Sequence, residues 1–485
     1  MLETGFWILD SGLWMLDSGF WKLDFGCWLL DSGCWKLAIG FCFFAYFLPC
    51  LLSTISCFLL LPPAAALDCR LFQMYLQAVR LITSDILFTA NDAPIPNGLV
   101  AVEEDGTIVE VIDPETDEGK KFMNQPGLPA VEYFPGFLCP GFVNAHCHLE
   151  LSYLKGKLSE GKGLMQFISE IVALRDEANR EEKFEAVRQA EAEMKGNGIV
   201  AVGDICNTLD TVDSKSQSSI RWHNFIEIFD IDPVRAESVF AEGVELAGQF
   251  AGMNGMDHVS ITPHAPYSVS VELLEKINSC AYENASLLTL HNQESAGEDL
   301  MFREGTGDLF ETMKKFGWSA DRHLPTGFSS LASTLVHLLR CHRIMLVHNT
   351  YTSPADVGWA GRYSSQVWWC LCPNANLFIE NRLPNIAMLA GKVPSRLLVG
   401  TDSYASNWSL SILDELKTIS RHFPGIALDD MIRWSSRNGA EFFGLHRQLG
   451  TIEKGKKPGM NHLKNVDVDN QRLTDETTVH PLVTA

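Results

Sequence analysis

His146 and His148 are separated by one residue, in a run that reads FVNAHCH (142–148). Alternate residues of a strand point to the same side, so both imidazoles can reach one point. Other polar side chains close apolar runs in the same way. His264 ends HVSITPH, His291 ends LLTLH, His348 lies near the end of IMLVHN, and Asp402 ends LLVGTD. Glu294 follows His291 by three residues. A lone His-x-His pair is more often chance than a ligand pair. Here five of the 14 histidines stand at run ends, with an aspartate at the last. That joint placement points to a metal. Imidazole with carboxylate suits Zn²⁺ or Fe²⁺, and an open coordination position makes such a site catalytic. A metal there lowers the pKa of its water to about 7 and makes hydroxide available at neutral pH. A nearby carboxylate can pass protons to a leaving nitrogen.

These side chains need a frame that gathers strand ends. After Pro140, eight short apolar runs alternate with helical text: 142–148, 199–205, 222–229, 258–264, 287–291, 344–349, 366–373 and 397–402. Such alternation predicts βα units around a parallel sheet. Eight units over some 300 residues are the size of a (β/α)8 barrel, whose strand C-termini converge on the active site. Before them, DILFTAND, PNGLVAVEEDG and TIVEVID predict a small antiparallel sheet, and Gly450 to Ala485 is β-like again. The expected fold class is α/β: a (β/α)8 TIM-type barrel over 139–449, with a small β-sandwich from segments 74–138 and 450–485. One spacing departs from the rest, since 57 residues separate His291 from His348. The long segment 295–340 reads equally as a lid or specificity element and as a surface excursion.

The chain has 485 residues, 46% hydrophobic and 20% charged, which excludes wholesale disorder. Its formal charge of -22 repels phosphate backbones, so a nucleic-acid partner is not expected. The 13 cysteines show no paired CxxC spacing, and those beyond position 69 are scattered, which suits reduced thiols in a cytosol-like compartment. The first 73 residues read differently. Residues 5–37 repeat every seven residues (GFWILDS, GLWMLDS, GFWKLDF), with a Gly and usually an Asp-Ser that suit neither helix interiors nor a coiled coil. Residues 38–67 carry no charge and are long enough to span a bilayer. We read 1–73 as mistranslated repeat outside the fold, with Met74 as the start. A membrane anchor through 38–67 is the minority reading. Localisation follows as cytoplasmic, with a membrane tether as the alternative.

The sequence resembles the amidohydrolase superfamily, in the branch that deaminates purine-like rings. The matching text is PGFVNAHCHLELS, TPHAPYSVS, LHNQES, LVHNTYTS, CPNANLFI, GTDSYASNWSLSILDEL and NGAEFFG with LGTIEKGKKPG, spanning about Leu81 to Pro481. It is most similar to aminofutalosine and adenosylhomocysteine deaminases and the chlorohydrolase-like branch. The resemblance implies that His146, His148, His291 and Asp402 hold one divalent metal, zinc before iron. Glu294 would protonate the ring nitrogen and pass protons to the departing amine. His348 would orient the metal's water, Asp402 would help deprotonate it, and His264 would contact substrate. The implied function is hydrolytic deamination of an adenosine-like nucleoside or related amino-heterocycle by metal-bound hydroxide. The small-molecule substrate is the expected partner, and a homodimer is a state that similar enzymes adopt. The alternatives are hydrolysis of another C–N or a C–Cl bond on a heterocycle, and a non-catalytic scaffold on the same barrel.

Other residues are weaker candidates. Glu227, near the end of the third run, reads as structural rather than substrate-binding. Cys147 points away from its neighbours on a strand. Cys370, Cys372, Trp368 and Trp369 read as core. Asn374, Asn376, Glu380 and Asn381 are candidates for the pocket wall. Phe316 and Trp318 read equally as ring-stacking and as core. His462 stands where the family usually has an apolar residue.

Overall fold

In the computed structural model the described residues are 8–9, 13–14, 79–175, 177–253, 258–315 and 325–485. The chain divides into two units, Met1–Met74 and Tyr75–Ala485. In the first, Ile8–Leu9 pairs antiparallel with Leu13–Trp14. The rest of the seven-residue repeat, the apolar segment 38–67, Phe316 and Trp318 lie outside the described residues. Among the described residues, no helix is long and apolar enough to cross a membrane.

All other elements belong to the second unit. Its first strands are β1 (Arg80–Leu87), β2 (Leu99–Val102), β3 (Ile108–Ile112) and β4 (Val131–Pro140). The last two of the chain are Met460–Lys464 and Thr478–Val483, which join the same sheet, and the two-residue strand Ile95–Pro96, paired antiparallel with β1, makes it seven-stranded. The expected sheet was antiparallel, but this one is mixed: β1 pairs antiparallel with β2 and parallel with β4. A parallel neighbour needs a long crossover. Here β2, β3 and the helix Asp117–Met123 supply it, so β4 returns in the direction of β1. The alternating pattern buries both faces. Ile82, Val100 and Leu138 pack on one side, and Leu81, Leu99 and Phe122 on the other.

Eight parallel strands follow: β5 (Phe142–Cys147), β6 (Ile199–Cys206), β7 (Arg221–Ile228), β8 (Val259–Pro263), β9 (Leu288–Asn292), β10 (Ile344–His348), β11 (Val367–Leu371) and β12 (Leu397–Val399). They form two four-stranded sheets in the orders β8-β7-β6-β5 and β9-β10-β11-β12. Most residues on both faces of these strands are apolar, as covered parallel strands require. Met345, Val347, Trp368, Cys370 and Leu398 pack with Ala201, Ile205 and Phe225. Their alternates Leu346, Trp369, Leu397 and Ile226 pack with Leu416 and Ile432 of the helices Ile412–His422 and Leu428–Trp434.

Hydrogen bonds join the two sheets at both ends. Between β8 and β9, the His291 N–H donates to His264 O at 2.9 Å and Thr262 Oγ1 donates to Thr289 O at 2.6 Å. Between β5 and β12, the N–H groups of Thr401 and Asp402 both donate to His146 O, at 3.1 and 3.0 Å. Gly400 makes that approach feasible, because a Cβ there would lie 2.8 Å from His146 Cβ.

Expected ends at three site residues are corrected, and His148, one residue past β5, is the first of them. The run 397–402 is a strand only to Val399, because Thr401 and Asp402 turn their N–H groups to His146 O. His264 lies one residue past β8. Within 295–340 the described text forms the helices Ala296–Glu304, Asp308–Lys315 and Ser330–Leu335.

Candidate active site

The seven candidate residues meet at the C-terminal ends of these strands. β5 is irregular between Asn144 and Cys147, yet His146 and His148 still converge. Their Nε2 atoms lie 3.6 and 3.5 Å from Asp402 Oδ1. His148 Nε2 is 3.3 Å from His291 Nε2. The His146 ring centroid is 5.0 Å from that of His291 and 5.9 Å from that of His348. Potential ligand atoms fall in two overlapping triads, His146–His148–Asp402 and His146–His291–His348, each within 4.8 Å. Cys147 packs in the outer core, away from this cluster.

Backbone geometry holds the cluster in place. Asp402 and His348 have φ of 59° and 71°, a left-handed conformation that costs free energy outside glycine. Asp402 is fixed further by Ser406, whose Oγ donates to Asp402 Oδ2 at 2.6 Å. His291 Nδ1 donates to His264 O at 2.9 Å, which leaves Nε2 with its lone pair toward the cluster. Glu294 sits just past β9, its Oε1 3.6 Å from His348 Nε2. Its backbone N–H donates to Glu298 Oε2, and that of Gln293 to Glu298 Oε1.

Electrostatics follow from burial. It pushes the His146, His148 and His348 imidazoles well below their usual range, so they are neutral. Burial also holds the Glu294 carboxyl well above its usual range, with Asp402, Glu298 and Glu380 pushing the same way. A carboxyl with a raised pKa among neutral imidazoles is suited to carrying a proton.

The donor set fits a divalent cation. His146 is 0% exposed, and neither of its ring nitrogens has a hydrogen-bond partner. A buried polar atom without a partner is rare, and a metal would satisfy it.

Glu227, read from the sequence as structural, stands beside the site. It is buried, with Oε1 3.4 Å from His291 Nδ1, and it forms a third triad with His264 and His291. Asn144 was missed, although it shares strand parity with His146; its amide holds Thr401. Glu298, four residues past Glu294 in a helical stretch, was missed too. Asn376 reaches the site, with Nδ2 3.4 Å from His348 Nδ1. Asn374 and Glu380 serve neighbouring helices: Asn374 binds Thr418, and Glu380 accepts from the Leu164 N–H. Asn381 ends its helix with a φ of 48°. Cys370, Cys372, Trp368 and Trp369 are core, as expected. His462 is buried, with Nε2 bonded to Pro135 O.

The sequence model of the Amidohydrolase family matches residues 137–477. The chain belongs to the amidohydrolase family. It is 25% identical over 371 residues to a 5-methylthioadenosine/S-adenosylhomocysteine deaminase of Saccharophagus degradans, covering 73% of this chain and 76% of that one. It is 24% identical over 413 residues to an adenosine deaminase of Helicobacter pylori, covering 82% and 94%. Among solved structures, Helicobacter pylori aminofutalosine deaminase with methylthio-coformycin matches with a TM-score of 0.64 at 22% identity, covering 79% of this chain and 91% of that one. This amidohydrolase is thus a metal-dependent hydrolase whose curated relatives are deaminases of adenosine-like compounds.

Proposed function

We propose that this amidohydrolase removes the exocyclic amino group of an adenosine-like nucleoside as ammonia. The observation that carries the reading is the Glu294–His348 pair beside the His146–His148–Asp402 triad, all buried at strand ends. In this reading the eight strands β5–β12 close into a (β/α)8 barrel over 139–449. The hydrogen bonds from β8 to β9 and from β12 to β5 support closure. In the same reading the segments 74–138 and 450–485, which share one seven-stranded sheet, make up the small flanking domain. The seven described cysteines are all free, which supports a cytoplasmic setting.

His146, His148, His291 and Asp402 would hold the metal, zinc on the chemistry of three imidazoles and a carboxylate. A bound divalent cation supplies a nucleophile from water at neutral pH. The chain does the rest. Glu294, with its raised pKa, donates a proton to the ring nitrogen next to the attacked carbon. Left as the carboxylate, it takes up the remaining proton of the added water and delivers it to the amino group as ammonia leaves, and the proton held by Asp402 then restores it. His348 lies within reach of Glu294 and orients the attacking water. The Asp402 oxygen that Ser406 does not bind accepts the proton of that water. His264 contacts the substrate. Walls of neutral imidazole and buried carboxyl keep bulk water from competing.

The test is ammonia release, and for the chlorotriazine chloride release, by the full chain loaded with zinc. The panel holds adenosine, methylthioadenosine, adenosylhomocysteine, guanine and a chlorotriazine. Turnover of an adenine nucleoside that stops on chelation supports the reading. Turnover confined to the chlorotriazine overturns it.

A further inference from the structure

Glu227 stands on β7, beside the ligand cluster but outside it. It is 5% exposed, and its Oε1 has no hydrogen-bond partner. A buried carboxyl oxygen without a hydrogen-bond partner is costly unless a ligand supplies one. His291 Nδ1, 3.4 Å away, is already committed to His264 O at 2.9 Å.

His264 completes the wall. Ser268 Oγ donates to Ala265 O at 3.2 Å and so accepts from His264 Nδ1 at 2.7 Å. That fixes the tautomer and leaves His264 Nε2 as an acceptor. Two acceptors on neighbouring strands call for a ligand with two adjacent donors. A cationic ligand is disfavoured, because the next cluster is built for a divalent cation. Neutral vicinal hydroxyls fit. The same wall then opens outward: Phe229 is 49% exposed, and its ring centroid is 5.5 Å from that of His264. The order runs from buried acceptor to half-buried acceptor to exposed aromatic. It matches a sugar lying between a ring held at the metal cluster and a substituent facing solvent.

We propose that Glu227 is a specificity residue that, together with His264, accepts hydrogen bonds from the vicinal hydroxyls of the substrate's ribose. The inference rests on the nucleoside reading above and adds to it the part of the substrate that is read. It makes no use of Glu227 as a metal ligand.

The experiment compares adenosine and methylthioadenosine with their 2′,3′-dideoxy counterparts in the full chain. It measures kcat/KM for ammonia release, nucleoside binding by calorimetry, and metal content. The wild type should prefer the diol by roughly 100-fold, and both Glu227→Gln and Glu227→Ala should reduce that preference to about fivefold or less. Metal content should match the wild type in both. A wild type indifferent to the diol overturns the inference, as does a preference that survives in both variants. Loss of metal from both variants also overturns it, since Glu227 would then serve His291. A nucleoside that binds without releasing ammonia sinks the deamination reading alone, and its binding ratio still decides Glu227. If no nucleoside binds, both readings fall.

Discussion

Asn144 and Thr401 exchange two hydrogen bonds where β5 meets β12. Asn144 Nδ2 donates to Thr401 Oγ1 at 2.7 Å, and the Thr401 N–H donates to Asn144 Oδ1 at 3.0 Å. Both side chains are 0% exposed. The pair places Asp402, the next residue, against His146. Asn144→Ala removes both bonds, while the Thr401 N–H keeps His146 O and its Oγ1 keeps Asp402 O, so the cost is about 2 kcal/mol. The expected outcome is a lower unfolding midpoint together with weaker metal retention. A midpoint that falls while metal content is unchanged would confine the pair to stability.

Glu294→Gln keeps the size of the side chain but cannot carry a proton. Ammonia release should fall by about 100- to 10,000-fold, the usual worth of a positioned acid–base group. Metal content and unfolding midpoint should stay near those of the wild type. Unchanged turnover would remove Glu294 from the mechanism.

Metal removal should act on stability as well as activity. The unpartnered nitrogens of His146 and the like-charged pressure on Glu294 from Asp402 both favour a bound cation. Stripping a metal present at about 100 times its dissociation constant withdraws about 3 kcal/mol from the folded state. Chelation should therefore lower the melting temperature, and zinc should restore it along with ammonia release. A melt that does not move on chelation would mean the cluster is stable without its ion.

The candidate site was largely legible because its histidines end apolar runs, and strand parity fixes where such side chains point. For His291 that was enough, whereas His146 and His148 converge across an irregular stretch of β5 and His348 points inward from a left-handed φ of 71°. Asp402 was placed at a strand end, whereas the chain leaves the sheet at Val399 and reaches the site through Gly400 and a left-handed turn. That turn depends on His146 O, an acceptor more than 250 residues away, and no local pattern reports it. Glu227 looked structural because a single acid on an apolar strand carries no spacing signal. Its unpartnered oxygen exists only once β7 and β9 lie together. The mixed first sheet was hidden for the same reason: parallel pairing of β1 with β4 is a property of the crossover, not of either run.

Glu298 gives a pH dependence with a definite sign. It is 0% exposed and positions Glu294 by accepting the backbone N–H groups of Gln293 and Glu294. Burial pushes its carboxyl from 4.5 up to about 7, against hydrogen bonds from Ser330, Gln293 and Glu294 that pull it down. The folded protein thus keeps a proton that the unfolded chain releases. Its contribution to stability is whole below 4.5 and is lost as pH rises through about 7. The span is worth up to about 3 kcal/mol. Glu298→Gln removes this titration and leaves Glu150 and Glu415, which shift in the same direction, present in both proteins. Unfolding free energies at about pH 5 and about pH 8 should therefore converge: the wild type's advantage over the variant shrinks at the higher pH. An advantage of equal size at both would mean that Glu298 is ionised throughout, its backbone donors outweighing its burial.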